Sequence, residues 1–279
     1  MQSAGDNQHM SINFIETPEG TDEQTLRDKS KEIIDIEHLR RMNFGFDKIS
    51  FDDVSIPGKT IATMSIRGFV PSKNPEICAA IAEIMSSIAI ADALIVDLRT
   101  NGGGDPNTVA FIESYILGHA PQHLLDFVDR DGKVQDSFST LAEKDLPAGS
   151  TLFGSSKPLF VLTTNKTISG GEDMAYSLQA FKRASAVIGE GNEATARAAN
   201  PVTKPRFICE EEFGKMWWRV GVPNLKPVHE ITGTNWEGVG WKGDVVAGKG
   251  EWEEVEDAKA VAVRLEIKEL KTEMRDKEL

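Results

Sequence analysis

The sequence predicts an α/β fold, and three observations carry that prediction. Apolar runs of strand length recur, as DALIVDL at 92–98, PLFVL at 158–162 and SAVI at 185–188. Stretches of helical period lie between them. Glycine-rich turns, NGGGDP at 101–106 and SGGE at 169–172, join strand to helix. This alternation marks a sheet with helices packed on it, and it places candidate chemistry in loops that follow strand C-termini.

Taken in order, residues 1–20 read as irregular apart from SINFI, one short strand. A helix is predicted over 21–42, where Thr21 and Gln24 form a capping-box pattern and Leu26, Ile33, Ile36 and Leu39 share a face. Two strands, 44–49 and 60–67, flank the turn signal Pro57-Gly58. An amphipathic helix follows at 75–88, then the DALIVDL strand, the glycine turn and a helix over 108–116. After a polar stretch comes the PLFVL strand, a helix starting near Ser169, and the strand at 185–188. A further strand is predicted at 219–222, and a charged amphipathic helix at 253–275. The organisation expected is an arm and helix over 1–42, then an α/β core with its C-terminal helix over 43–279.

Charge excludes some functions. A net charge of −13 argues against a nucleic-acid groove and against an anionic membrane surface, both of which require clustered Lys and Arg. Cys78 and Cys209 are the only cysteines, without CxxC spacing, and read as buried free thiols rather than a disulfide frame or a metal site. No metal and no cofactor is expected. The N-terminus lacks a signal-peptide pattern and no apolar run is long enough to span a bilayer, so the default compartment is cytoplasmic, unless the chain is cut from a longer precursor. A homo-oligomer stays open.

Three segments carry chemistry. NGGGDP lacks the spacing of a phosphate loop, and Asp105 would repel phosphate; its glycines suit either a tight turn of positive φ or an oxyanion hole of backbone N–H groups. Ser169 stands at a helix N-terminus, where the macrodipole stabilises an oxyanion and Gly170 leaves room for substrate. On spacing alone Ser169 with Glu172 is more economically a capping box than a nucleophile. Of the histidines, His38 lies on the N-terminal helix, His119, His123 and His229 have no evident carboxylate pattern, and His9 precedes the SINF strand. The third segment, GTNWEGVG at 233–240, sets Glu237 in an apolar, glycine-rich loop, where it could hold a histidine or simply face water. Asn235 and Trp236 beside it are candidate substrate contacts, and Trp217, Trp218, Trp236 and Trp241 either line a pocket or pack the core.

Together NFGFDKI, ATMSIRGF, ADALIVDLRTNGGGDP, KPLFVLTTNKTISGGEDMAYSLQAFKRASAVIGE and ITGTNWEGVGWKGD resemble the tail-specific, or C-terminal-processing, serine peptidases. The branch is that of the tricorn protease core and the interphotoreceptor retinoid-binding protein modules. The resemblance covers most of 43–245 and implies a crotonase/ClpP-like α/β core acting on a peptide or other acyl substrate. It implies Ser169 as nucleophile, with oxyanion donors at the backbone of Gly170 and of the Gly102–Gly103 turn. His9 matches the base and Glu237 the residue that orients it. The lysine of a serine–lysine dyad would fall in GNEATARAANP, which contains none.

The family pattern is also departed from: Glu193, Arg197 and Asn200 replace a glycine-rich loop, and Gly243 stands where proline is usual. The helical domain of the retinoid-binding branch would have left only the 1–42 arm as its remnant, and no PDZ module is visible. These departures and the tryptophans motivate a second expectation, a non-proteolytic member that binds a lipophilic small molecule or catalyses its cyclisation or isomerisation.

Overall fold

The computed structural model describes residues 11–15, 35–53, 55–72, 74–190, 206–210, 216–221, 223–236, 242–250, 257, 259–265 and 268. Its centre is a six-stranded sheet. The strands are β2 (Phe46–Asp52), β3 (Ile61–Ile66), β4 (Ala93–Asp97), β7 (Leu159–Thr164), β8 (Ala186–Glu190) and β12 (Val245–Val246), numbered after β1 (Ser11–Ile15). Their spatial order is β12-β8-β7-β4-β3-β2. β2 runs antiparallel to β3, and all the other neighbours are parallel.

The apolar runs lie in the middle of this sheet because both of its faces are covered. Ala62, Met64, Ile66, Leu94, Val96, Leu159 and Val161 alternate onto one face. There they meet three helices: α2 (Pro75–Ile88), α3 (Pro106–Glu113) and α4 (Gly170–Ala180), counted after α1 (Ile36–Arg41). Ile61, Ala93, Ile95, Phe160 and Leu162 point the other way, toward Val261 and Ala262 of the helical residues 259–265. α2 illustrates how sequence sets an element. Pro75 opens it, Asn74 Oδ1 accepts from the Glu76 N–H at 2.8 Å, and Ile77, Ile81, Met85 and Ile88 bury its inner face.

Two smaller sheets complete the described fold. One is β1-β10-β9, with β9 at Arg206–Glu210 and β10 at Met216–Gly221. The other is β11-β5-β6, with β5 at His123–Val128, β6 at Val134–Ser139 and β11 at Lys226–His229. The hairpin β5–β6 occupies what the sequence offers as a polar stretch, since β6 is exposed at every position but one. Its Asp131-Gly132 turn was the available signal. Of the helix predicted over 21–42, the described part is Ile36–Arg41. Among the described residues no helix is long and apolar enough to cross a membrane.

Candidate active site

The loops after β4 and β7 meet at the C-terminal edge of the parallel sheet. Thr164 Oγ1 donates to the Arg99 carbonyl at 2.7 Å, and Thr167 Oγ1 to the Leu98 carbonyl at 2.8 Å. The Ile168 N–H reaches the Asn101 carbonyl at 3.1 Å. TTNKTIS is therefore a clasp: two threonines, short enough to bond across adjacent strands, fasten the serine loop to the glycine turn.

Asn101, fully buried, organises that turn. Its Nδ2 donates to the Ile66 carbonyl at 3.0 Å and its Oδ1 accepts from Gly103 N–H at 2.7 Å. Gly102 N–H is also engaged, to the Arg67 carbonyl at 2.9 Å. The turn predicted to donate through Gly102 and Gly103 thus spends both of those hydrogens on its own scaffold. Among the described residues the Gly104 and Gly170 N–H groups have no protein acceptor, and both residues line the cavity that holds Ser169. The turn N–H left open to the cavity is thus that of Gly104, one residue beyond the pair expected; the sequence could not show it, because the Asn101 side chain consumes the Gly103 donor only in the folded turn.

Gly103 has φ +88°, and a Cβ there would stand 2.7 Å from Ser169 Cβ and 3.1 Å from Gly170 N. Gly103→Ala is expected to push the serine aside and lower turnover of an acyl substrate by about a hundredfold. Steady-state kinetics beside a thermal melt checks this, and an unchanged rate would contradict the packing.

The backbone of Ser169 differs from that of the other helix caps. The caps of α2 and α3, Asn74 and Asp105, have φ/ψ of −93°/127° and −73°/121°, the extended geometry usual for an N-cap. Ser169 has φ 55° and ψ −119°, a conformation costly for any residue with a Cβ. Glu172, buried, holds it there by accepting from the Ser169 N–H at 2.6 Å. Both halves of the capping box are present, and Ser169 takes part in it from a backbone outside the usual capping conformation.

Next to Ser169 is a cavity of about 60 Å³. Pro106, Leu125, Phe127, Pro227 and Trp236 form its apolar walls, and Gly104, Gly170 and Asp173 complete it. Trp236, a predicted substrate contact, is here; its ring leans on Tyr176 with centroids 4.9 Å apart. Asn235 instead ties the loop to β11 through Nδ2 and the Pro227 carbonyl, 2.7 Å. A cleft of about 640 Å³ elsewhere, lined by residues such as Phe111 and Phe138, contains no residue of the serine loop.

Two carboxyls behind Ser169 were not anticipated. Asp173, one turn along α4, is pushed up to about 7 by burial, with the Ser177 hydroxyl opposing the shift. Glu113 on α3 is fully buried and lifted well above the usual carboxylate range, by burial first and then by Asp173. Neither is visible in sequence, because their burial comes from packing α3 against α4.

The histidines sort differently from their sequence reading. His119 bonds Glu143 at 2.6 Å and His123 lies 3.2 Å from Asp126, so both have carboxylate partners. His229 is buried against Tyr176 and Phe181, and burial, then His123, lowers it to about 4. None of the described histidines hydrogen-bonds Ser169. The predicted base His9 and its partner Glu237 lie outside the described residues, as does the loop 191–205. Among the described residues no three His, Cys, Asp or Glu side chains are grouped to hold a metal ion.

Comparison with known proteins agrees with this architecture. A Bacteroides fragilis protein assigned to the S41 proteases superposes with a TM-score of 0.54 at 14% identity, over 79% of this chain and 57% of that one. Mature CPAF gives 0.50 at 13% identity, over 82% and 58%. The photosystem II D1 C-terminal processing protease aligns at 19% identity and a TM-score of 0.49, over 71% of this chain and 47% of its own, so this chain spans about half the length of that enzyme. Likeness at such identities speaks to the fold alone. The family model for peptidase family S41 matches residues 60–203, more than half of the sequence, and the chain belongs to that family.

Proposed function

We propose that this protein is a serine peptidase in which Ser169 is the nucleophile. The observation that carries the reading is the backbone of Ser169, which stands at φ 55° and ψ −119° while its N–H bonds Glu172, a conformation that capping a helix does not require. Strain of this kind persists where the surrounding structure over-determines it, and a reactive side chain is a common reason. Ser169 Oγ attacks the acyl carbonyl and loses its proton to His9, whose ring Glu237 orients. The oxyanion accepts from the Gly104 and Gly170 N–H groups, at the positive end of α4. His9 then protonates the leaving amine, the C–N bond breaks, and water hydrolyses the acyl-enzyme by the same proton path.

Membership of peptidase family S41 supports the reaction class. His9 and Glu237 are assigned by the resemblance of NQHMSINF and TNWEG, and β1 pairs the residues just after His9 with β10, Ser11 opposite Gly221. The substrate is a peptide. The cavity beside Ser169 is small, about 60 Å³, and does not by itself favour the non-proteolytic alternative.

The test is covalent labelling with an alkyl fluorophosphonate and peptide mapping of the adduct. Wild type is expected to carry it on Ser169, and Ser169→Ala to carry none while melting as wild type does. A wild-type chain that stays unlabelled would sink the reading.

A further inference from the structure

Two residues of the cavity beside Ser169 are left with unmet bonding capacity. Asp173 is 8% exposed and its Oδ1 has no hydrogen-bond partner. Trp236 is 2% exposed and its Nε1–H has none either. Buried polar atoms are seldom left so, because desolvation is not repaid until a partner arrives. Asp173 Oδ1 can accept, also when the carboxyl holds its proton on the other oxygen, and Trp236 Nε1–H only donates. They come from different elements, α4 and the loop after β11, yet line the same cavity as the nucleophile. Asp173 is placed there by helical spacing: it lies four residues after Ser169, and its N–H bonds the Ser169 carbonyl at 2.9 Å.

We propose that Asp173 and Trp236 read a hydroxyl on the substrate, so that the residue on the acyl side of the scissile bond is threonine or serine. The inference rests on Ser169 being the nucleophile. A hydroxyl is the small group that satisfies both atoms at once, donating to Asp173 Oδ1 and accepting from Trp236 Nε1–H. Size points the same way. The cavity is small, about 60 Å³, and Gly104 and Gly170 share it, which favours a short side chain over a long one. The walls supplied by Leu125, Phe127 and Pro227 suit the threonine methyl. Valine and alanine fit the same space but leave both polar atoms unpaired. Sites built to bond a hydroxyl reject the analogue lacking it far better than apolar pockets discriminate by a methyl.

The experiment uses the full chain and matched peptidyl diphenylphosphonates that differ only in the side chain beside phosphorus. In each, Ser169 Oγ forms a bond to phosphorus and phenoxide leaves. Labelling rates are read by intact mass. The threonine-like reagent is expected to label at least about tenfold faster than its valine-like isostere, and the serine-like faster than the alanine-like. Asp173→Leu, close in shape, is expected to bring the Thr/Val ratio within threefold. Trp236→Phe, which keeps a ring and loses the N–H, is expected to lower the same ratio and serves if the first variant does not fold. The alkyl fluorophosphonate is run in parallel. If it labels Ser169 while the wild-type Thr/Val ratio stays within threefold, this proposal falls and the nucleophile stands. If neither reagent labels, both fall. A ratio that survives in both variants also overturns it.

Discussion

Ser169→Gly is expected to abolish labelling and peptide hydrolysis while raising the unfolding midpoint above that of Ser169→Ala. The first half follows from losing the nucleophile, a loss of at least about a thousandfold in kcat. The second half follows from the backbone. At φ 55° and ψ −119° a Cβ is strained by about 1–3 kcal/mol, and alanine keeps that Cβ whereas glycine does not. Glycine gives back about 0.5–1 kcal/mol through the greater freedom of its unfolded chain, which leaves a net gain of about 1 kcal/mol. The Ser169 N–H bond to Glu172 survives in both variants, so the pair isolates strain from hydrogen bonding. Urea unfolding of the two, followed by tryptophan fluorescence, is the measurement. Equal midpoints would mean that the serine sits there unstrained, and would remove the main support for its catalytic role.

The second large effect concerns pH. In the unfolded chain Asp173 titrates near 3.8, and in the folded protein near 7. Below the lower value both states hold the proton, and the carboxyl is tolerated. Between the two, the unfolded chain releases its proton while the folded one keeps it, so stability falls as pH rises. At about 1.4 kcal/mol per pH unit the interval amounts to about 4 kcal/mol. Glu113, the acidic group facing Asp173 from α3, is displaced in the same direction and slopes the same way. Subtracting wild type from Asp173→Asn reports Asp173 together with the share of the Glu113 displacement that Asp173 causes. The difference in unfolding free energy is expected to be near zero at pH 4 and to grow toward about 4 kcal/mol in favour of asparagine by pH 7.5. Urea titrations at four pH values across this range decide it, and a difference independent of pH would refute it.

What the sequence made legible was whatever is local. Ser169, Gly170 and the glycine turn announce themselves because strand, turn and helix are contiguous, and β4 and β7 because buried parallel strands are continuous apolar runs. The hairpin of β5 and β6 was passed over because β6 alternates weakly and faces water. Asn101, Asp173 and Glu113 were invisible for another reason. An asparagine in a turn or an acid on a helix reads as solvated until the tertiary packing is known, and here packing buries all three. The family resemblance implies donors at Gly102 and Gly103, and only the fold reveals that the Arg67 carbonyl and the Asn101 side chain have claimed those hydrogens.

The clasp between the serine loop and the glycine turn bears on when activity can exist. Its bonds join Leu98 to Thr167 and Arg99 to Thr164, and Asn101 ties the turn itself to Ile66, partners separated by 69, 65 and 35 positions along the chain. Each requires a completed crossover between parallel strands, the slowest kind of contact to close. A nascent or half-folded chain therefore has the serine without the geometry, and is chemically harmless to its neighbours. With Ser169 as the proposed nucleophile, the arrangement confines acylating chemistry to molecules that have already finished folding.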